Sequence, residues 1–189
     1  MIHLQSAGYS QYTKSKQVHF SKFLGFHIRS SVSIINRHTW APKQYFYYEL
    51  NAGPGVYPDG LYGSPKIFLQ QWNRHVTRGI LRNTVSLSAH LFEENPETFI
   101  RLEEGIYDDV SELSETSSRS LVLFHNRDNI AVLKILPSRQ QSFGLVYSDE
   151  NGASIPIHIF QELAEYFPRL DILVHCTATA IKRTRLALP

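Results

Sequence analysis

From residue 44 to residue 175, runs that read as strands alternate with runs that read as helices, and this alternation limits the chain to very few folds. Gln44-Tyr-Phe-Tyr-Tyr-Glu-Leu50 is aromatic-rich and predicts a first strand, closed by the turn signal Asn51-Ala-Gly-Pro-Gly55. Ser64 is expected to cap a helix with Pro65 at its first position, and Ile67, Phe68, Trp72, Val76 and Ile80 keep helical spacing. Val85, Leu87, Ala89 and Leu91 alternate as in a strand, after which Asn95-Pro96 opens a helix with Phe99, Ile100 and Leu102 on its apolar side. Leu121–His125 predicts the third strand, Ile130–Leu136 a short helix, and Phe143–Tyr147 the fourth strand. Ser154–Phe167 follows as a helix, and Leu170–His175 as the fifth strand. Strands separated by helices pair in parallel through crossovers, so the chain reads as an α/β sheet with helices on both faces.

Composition narrows the class. At 189 residues, 42% of them apolar, the chain holds material for one ordinary core and is too rich in order-promoting residues to be disordered. Cys176 is the single cysteine, which excludes an intrachain disulfide and argues against a cysteine-based zinc site. The histidines show neither H-x-x-x-H nor H-E-x-x-H spacing, so no metal is expected. Short apolar runs and an N-terminus without a signal-peptide core predict a protein that neither spans membranes nor is secreted, hence a cytoplasmic one.

The net charge of +2 is too small to point to a polyanion, but its distribution is uneven. Residues 1–43 carry Lys14, Lys16, Lys22, Arg29, Arg37 and Lys43, with no Asp or Glu, and aromatic residues lie between these bases. We read this as a separate N-terminal segment with a helix, preceding the main domain at 44–189. Two readings stay open for it. Lys14, Lys16 and Lys22 can hold nucleic-acid phosphates, or Phe20, Phe23, Leu24, His27 and Ser31 form the buried side of an amphipathic helix. Lys182, Arg183 and Arg185 add a basic tail. Residues 93–115 carry nine acids against Arg101 and are expected to form a solvated helix and loop facing away from any polyanion.

In a parallel sheet, ligands lie beyond the carboxyl ends of the strands, so the residues just after each strand carry the information. After the first strand stand Glu49, Asn51, Ala52, Gly53 and Gly55; Gly53 and Gly55 permit positive φ and leave bare backbone against a ligand. Pro58 occupies the place of the third glycine of a dinucleotide motif, which disfavours a nicotinamide cofactor. Glu93, after the second strand, offers two acceptor oxygens at the spacing of ribose hydroxyls; it is equally a surface acid near a helix N-terminus.

Taken together, these residues resemble a known group. Glu49-x-x-x-Gly53-x-Gly55, Glu93, Asp128 after strand three and Asp149 after strand four are similar to the Rossmann-like S-adenosylmethionine-dependent methyltransferases. More narrowly, Tyr48-Glu-Leu-Asn-Ala-Gly-Pro-Gly-Val-Tyr57 followed by Tyr62-Gly-Ser-Pro65 resembles the three-Cys-motif partner proteins. It is also similar to the ribosomal RNA adenine-N6 methyltransferases of the RlmJ type. The resemblance implies a sheet of order 3-2-1-4-5 with S-adenosyl-L-methionine as cofactor. It gives Glu49, Asn51 and the Ala52–Gly55 backbone to the methionine end, Glu93 to the ribose and Asp128 to the adenine amine. Asp149 and Asn151 then stand where such enzymes hold the amine to be methylated. The resemblance also implies a C-terminal helix and antiparallel strands, for which the chain after strand five is too short. That predicts an edge left exposed or completed by a protein partner or a second copy. Glu150 replaces a proline of the amino-methyltransferase motif, which keeps a second class open: a degenerate Rossmann-like subunit that binds cofactor or partner without turnover.

Overall fold

The structure, a computed structural model, describes residues 11–39, 41, 43–79, 85–117, 120–135, 143–149 and 157–175. Its centre is a sheet of five parallel strands: β1 (Gln44–Glu49), β2 (Ser86–Phe92), β3 (Leu121–His125), β4 (Gly144–Asp149) and β5 (Leu170–His175). Their order in space is β3-β2-β1-β4-β5, so the parallel α/β sheet expected from the alternation has the Rossmann-like strand order that the resemblance implied. The order reverses between β1 and β4, and that switch point opens a crevice at the carboxyl ends of the strands.

Central parallel strands are covered on both faces, which explains the aromatic run in β1. Tyr45 and Tyr47 point into one core, while Phe46 and Tyr48 point into the other. The larger core is closed by α1 (Gln11–Arg37), α2 (Ser64–Thr77), α3 (Pro96–Gly105) and α4 (Tyr107–Thr116). The smaller lies under α5 (Val132–Ile135) and α6 (Ile157–Tyr166). In β2, Ser88 and His90 are buried along with the alternating apolar residues around them, because both faces of that strand are covered.

Within the basic N-terminal region, Gln11–Arg37 form an amphipathic helix packed on the body. Phe20, Leu24, Ile28, Val32 and Ile35 of α1 belong to the larger core. His27 pins the helix across the sheet: its Nδ1 lies 2.9 Å from the Tyr45 hydroxyl and its Nε2 lies 2.9 Å from Asp171 of β5.

Several expectations need correction. Ser64 does not cap α2. Gly63 holds that position with no side-chain cap, and Ser64 is the first helical residue, its hydroxyl turned to Glu49. Ile100 is 55% exposed rather than on the buried side of α3, because only Leu102 of that helix is buried. The acidic stretch 93–115 is not wholly solvated either: Asp109 is buried, and Lys66 Nζ donates to it at 2.6 Å. The short helix near residue 130 begins as a 3-10 turn over Asn129–Ala131 before α5. Asp149, expected in a loop after the fourth strand, is the last residue of β4. The start of the predicted 154–167 helix and the end of the predicted 130–136 helix lie outside the described residues.

Asn95 behaves as expected for an N-cap, accepting from the Thr98 amide at 2.9 Å with Pro96 behind it. Asn95→Ala leaves that amide without its partner and should cost about 1 kcal/mol, read as a lower urea midpoint at unchanged m-value.

Candidate active site at the switch point

The turn after β1 is bare backbone by construction. Gly53 has φ 66° and Gly55 has φ 68°, values that side-chain-bearing residues adopt only at a cost. A Cβ on Gly55 would lie 2.9 Å from Ile106, so the turn is seated hard against the junction of α3 and α4. On Gly53 the same atom would meet only the Tyr57 hydroxyl, at 3.9 Å.

Glu93 reaches this turn directly. Its Oε2 accepts from the Gly53 amide and its Oε1 from the Asn95 amide, each at 2.9 Å. One carboxylate thus fixes the turn and the entry to α3 together, with lone pairs left on both oxygens. Ala52 is buried, and its amide donates to the Phe92 carbonyl at 2.9 Å. Asn51 is half-buried and accepts from the Ser148 hydroxyl at 3.3 Å. Asp128 is exposed beyond β3, where it accepts from the Ile130 amide at 2.8 Å and shapes the following 3-10 turn.

Glu49 lies beneath the turn but is sealed off from it. Its side chain is fully buried, with the Tyr47 hydroxyl donating to Oε2 at 2.7 Å and the Ser64 hydroxyl donating to Oε1. Burial pushes its carboxyl up to about 8, against the lowering pull of the Ser64 and Tyr47 bonds. Burial thus favours its protonated form relative to a free glutamate, and through Ser64 it ties the end of β1 to the start of α2.

Across the switch point, Asp149 is held on both oxygens. Lys16 Nζ of α1 donates to Oδ2 at 2.5 Å, and His175 Nδ1 lies 2.7 Å from Oδ1. Asp149 and His175 are register partners at the ends of β4 and β5. Their approach needs the sheet order as well as the sequence, which is why His175 carried little signal on its own. Phe20 of α1 stacks on Tyr147 with ring centroids 4.3 Å apart and sets the helix over the strand ends. Between this group and the glycine turn stands Tyr57. Burial raises its hydroxyl pKa, and the negative charges of Asp149, Glu49, Asp59 and Glu93 push it the same way.

The structure therefore brings Gly53 and Glu93 together with Glu49 beneath them, and joins Lys16 to Asp149. Lys16 pairs with that carboxylate, and Lys14 and Lys22 are exposed on α1. Asn151, Glu150, Cys176, Lys182, Arg183 and Arg185 lie outside the described residues. Among the described residues, no three His, Cys, Asp or Glu side chains are grouped to hold a metal ion, and no helix is long and apolar enough to cross a membrane.

No protein-family model matches the chain, and no curated protein matches it. Solved structures that align with it include the two that follow. A predicted N6-adenine-specific DNA methylase from Listeria monocytogenes str. 4b F2365 aligns at 8% identity and TM-score 0.39, over 82% of this chain and 44% of its own. A protein named PH0851 aligns at 13% identity and TM-score 0.39, over 86% of this chain and 37% of its own. The chain thus spans less than half the length of either structure, and its Rossmann-like fold stands on its own sheet order.

Proposed function

We propose that the chain is an S-adenosylmethionine-dependent methyltransferase that acts on nucleic acid, at an exocyclic amino group of a base. The observation that carries this reading is the pairing of features at the switch point. A bare positive-φ turn tied to Glu93 lies on one side, and a carboxylate held by two basic side chains lies on the other. The residues present fit the cofactor: Gly53 leaves the floor of the crevice open apart from the Tyr57 hydroxyl. Glu93 keeps acceptor capacity for ribose hydroxyls, and exposed Asp128 can accept from an adenine amine. Glu49 acts here as a positioning residue, since its carboxyl is spent on Tyr47 and Ser64.

When bound, the cofactor would supply a sulfonium methyl as electrophile for the amine nitrogen, with the C–S electron pair leaving on sulfur. The chain's own part is at Asp149. Its carboxylate accepts a hydrogen bond from the amine, aims the nitrogen lone pair and receives the proton released. His175, on the other oxygen, holds the carboxylate's orientation. Exposed Lys14 and Lys22, with the basic tail, serve the phosphates.

The second reading, a degenerate subunit acting through a partner protein, draws on two covers already in place. Lys16 sits on Asp149, and Tyr57 leans over the Gly53 turn. Calorimetry and thermal shift with S-adenosylmethionine and S-adenosylhomocysteine, followed by tritium transfer to mixed RNA and DNA, separate the two. The enzyme reading expects binding and transfer, with Asp149→Asn keeping the binding and losing about a hundredfold in transfer. Binding without transfer supports the degenerate subunit, and no binding removes both.

A further inference from the structure

A polar cavity of about 340 Å³ lies between α2 and α4 and shares no lining residue with the crevice at the switch point. Asn73, Arg74, Thr77 and Arg78 wall it on the α2 side, and Asp109 and Glu112 on the α4 side. The charges in these walls are divided by sign. Arg74 and Arg78 stand one helical turn apart at the end of α2, so both guanidinium groups can close on one anion. Asp109 is already paired with Lys66 at 2.6 Å, which leaves Glu112 as the acid of the cavity. Among the described residues, neither arginine pairs with Glu112 or with any other acid. Glu112 is held by Asn73 instead, whose Nδ2 donates to its Oε2 at 3.3 Å and to the Asp109 carbonyl at 3.0 Å. Asn73 is 4% exposed, and its buried Oδ1 has no hydrogen-bond partner among the described residues. A buried acceptor left without a donor costs about 1–3 kcal/mol.

From this arrangement we infer that the cavity between α2 and α4 binds a small amino acid as its zwitterion, with the carboxylate between Arg74 and Arg78 and the ammonium against Glu112 and Asn73. Each end of such a ligand meets the group it needs. A carboxylate takes donors from paired guanidinium groups. An ammonium has only donors to offer, which suits the Glu112 carboxylate and supplies the hydrogen bond that Asn73 Oδ1 lacks. A simple anion satisfies the arginines but faces the charge of Glu112, and a simple cation satisfies Glu112 but faces the arginines. No apolar residue lines the cavity, which favours a ligand whose side chain is small or polar. The inference is independent of the methyltransferase reading, because none of these residues belongs to the switch-point site.

The test is a titration of the full chain, isotope-labelled at asparagine and arginine side chains, with the standard L-amino acids. Small or polar members, glycine, serine and threonine among them, should move the Asn73 side-chain amide resonances and bind with a Kd of about 1 mM or tighter. Acetate and methylammonium, which carry one charged end each, should bind about tenfold more weakly than the best amino acid. That amino acid should lose about tenfold in affinity for each of Arg74→Gln, Arg78→Gln and Glu112→Gln. All three side chains are exposed, so urea midpoints near the parent's are expected, and should one variant disturb the fold the other two carry the test. No response to any amino acid at about 10 mM overturns the inference. Acetate or inorganic phosphate binding as tightly as the best amino acid also overturns it, since the arginines would then act alone. Full affinity in Glu112→Gln does the same, because the ammonium would not be where the inference puts it.

Discussion

Gly144→Ala should destabilise the protein by about 3–5 kcal/mol, enough to unfold much of a domain of ordinary stability. Gly144 opens β4 opposite Phe46 of β1, with φ 155°. A Cβ there would lie 1.8 Å from the Phe46 carbonyl oxygen and 2.7 Å from its carbon. Backbone in the middle of a sheet cannot move aside as a flexible side chain would, so the strands must separate. The pair that separates is β1–β4, the joint at which the sheet order reverses, so Asp149 moves away from the glycine turn as the fold weakens. Urea denaturation of the two proteins measures the loss. Gly25→Ala is the matched control: it lies inside α1, its added Cβ makes only ordinary contact with Gln71 at 3.5 Å, and it should stabilise by about 0.5–1 kcal/mol. A Gly144 variant with wild-type stability would show that β1 and β4 do not meet in this register.

The second large effect is on pH. Burial in the fold pushes the Glu49 carboxyl up to about 8 from its ordinary 4.5. Between those two values the folded chain keeps a proton that the unfolded chain has released, so stability falls as pH rises. The contribution is whole below the unfolded value, declines through the window and is gone above the folded one. At roughly 1.4 kcal/mol per pH unit the full window amounts to about 4–5 kcal/mol. Glu49→Gln keeps an acceptor for one hydroxyl, lets the other turn to accept from its amide, and cannot ionise. On going from pH 5 to pH 8 the variant should therefore gain about 3 kcal/mol of unfolding free energy relative to the parent, since His90, which burial pushes down to about 4, contributes equally to both. An unchanged difference would place the carboxylate in contact with solvent or a cation.

Repetition along the chain was enough to give the sheet. Local hydrophobic patterning and the turn residues Asn51–Gly55 and Asn95-Pro96 mark strands and helices, and parallel crossovers leave few ways to arrange them. The same local logic located Gly53, Gly55 and Glu93, because each follows a strand directly. It misplaced Ser64, since a serine before Pro65 fits a cap by local rules alone. Only in three dimensions does its hydroxyl find a buried carboxyl needing a donor.

What the sequence determined by itself was the class of fold, since short-range periodicity marks strands and helices and their alternation requires parallel crossovers. Tertiary structure alone decided that Lys16 would close on Asp149 and that His175 would brace it, contacts that span 133 and 26 positions of the chain. Neither has a local signature. Both arise because α1 is anchored through Phe20 and His27 across strands whose neighbours are set by the crossover order, and charge then pairs with whatever that packing brings within reach.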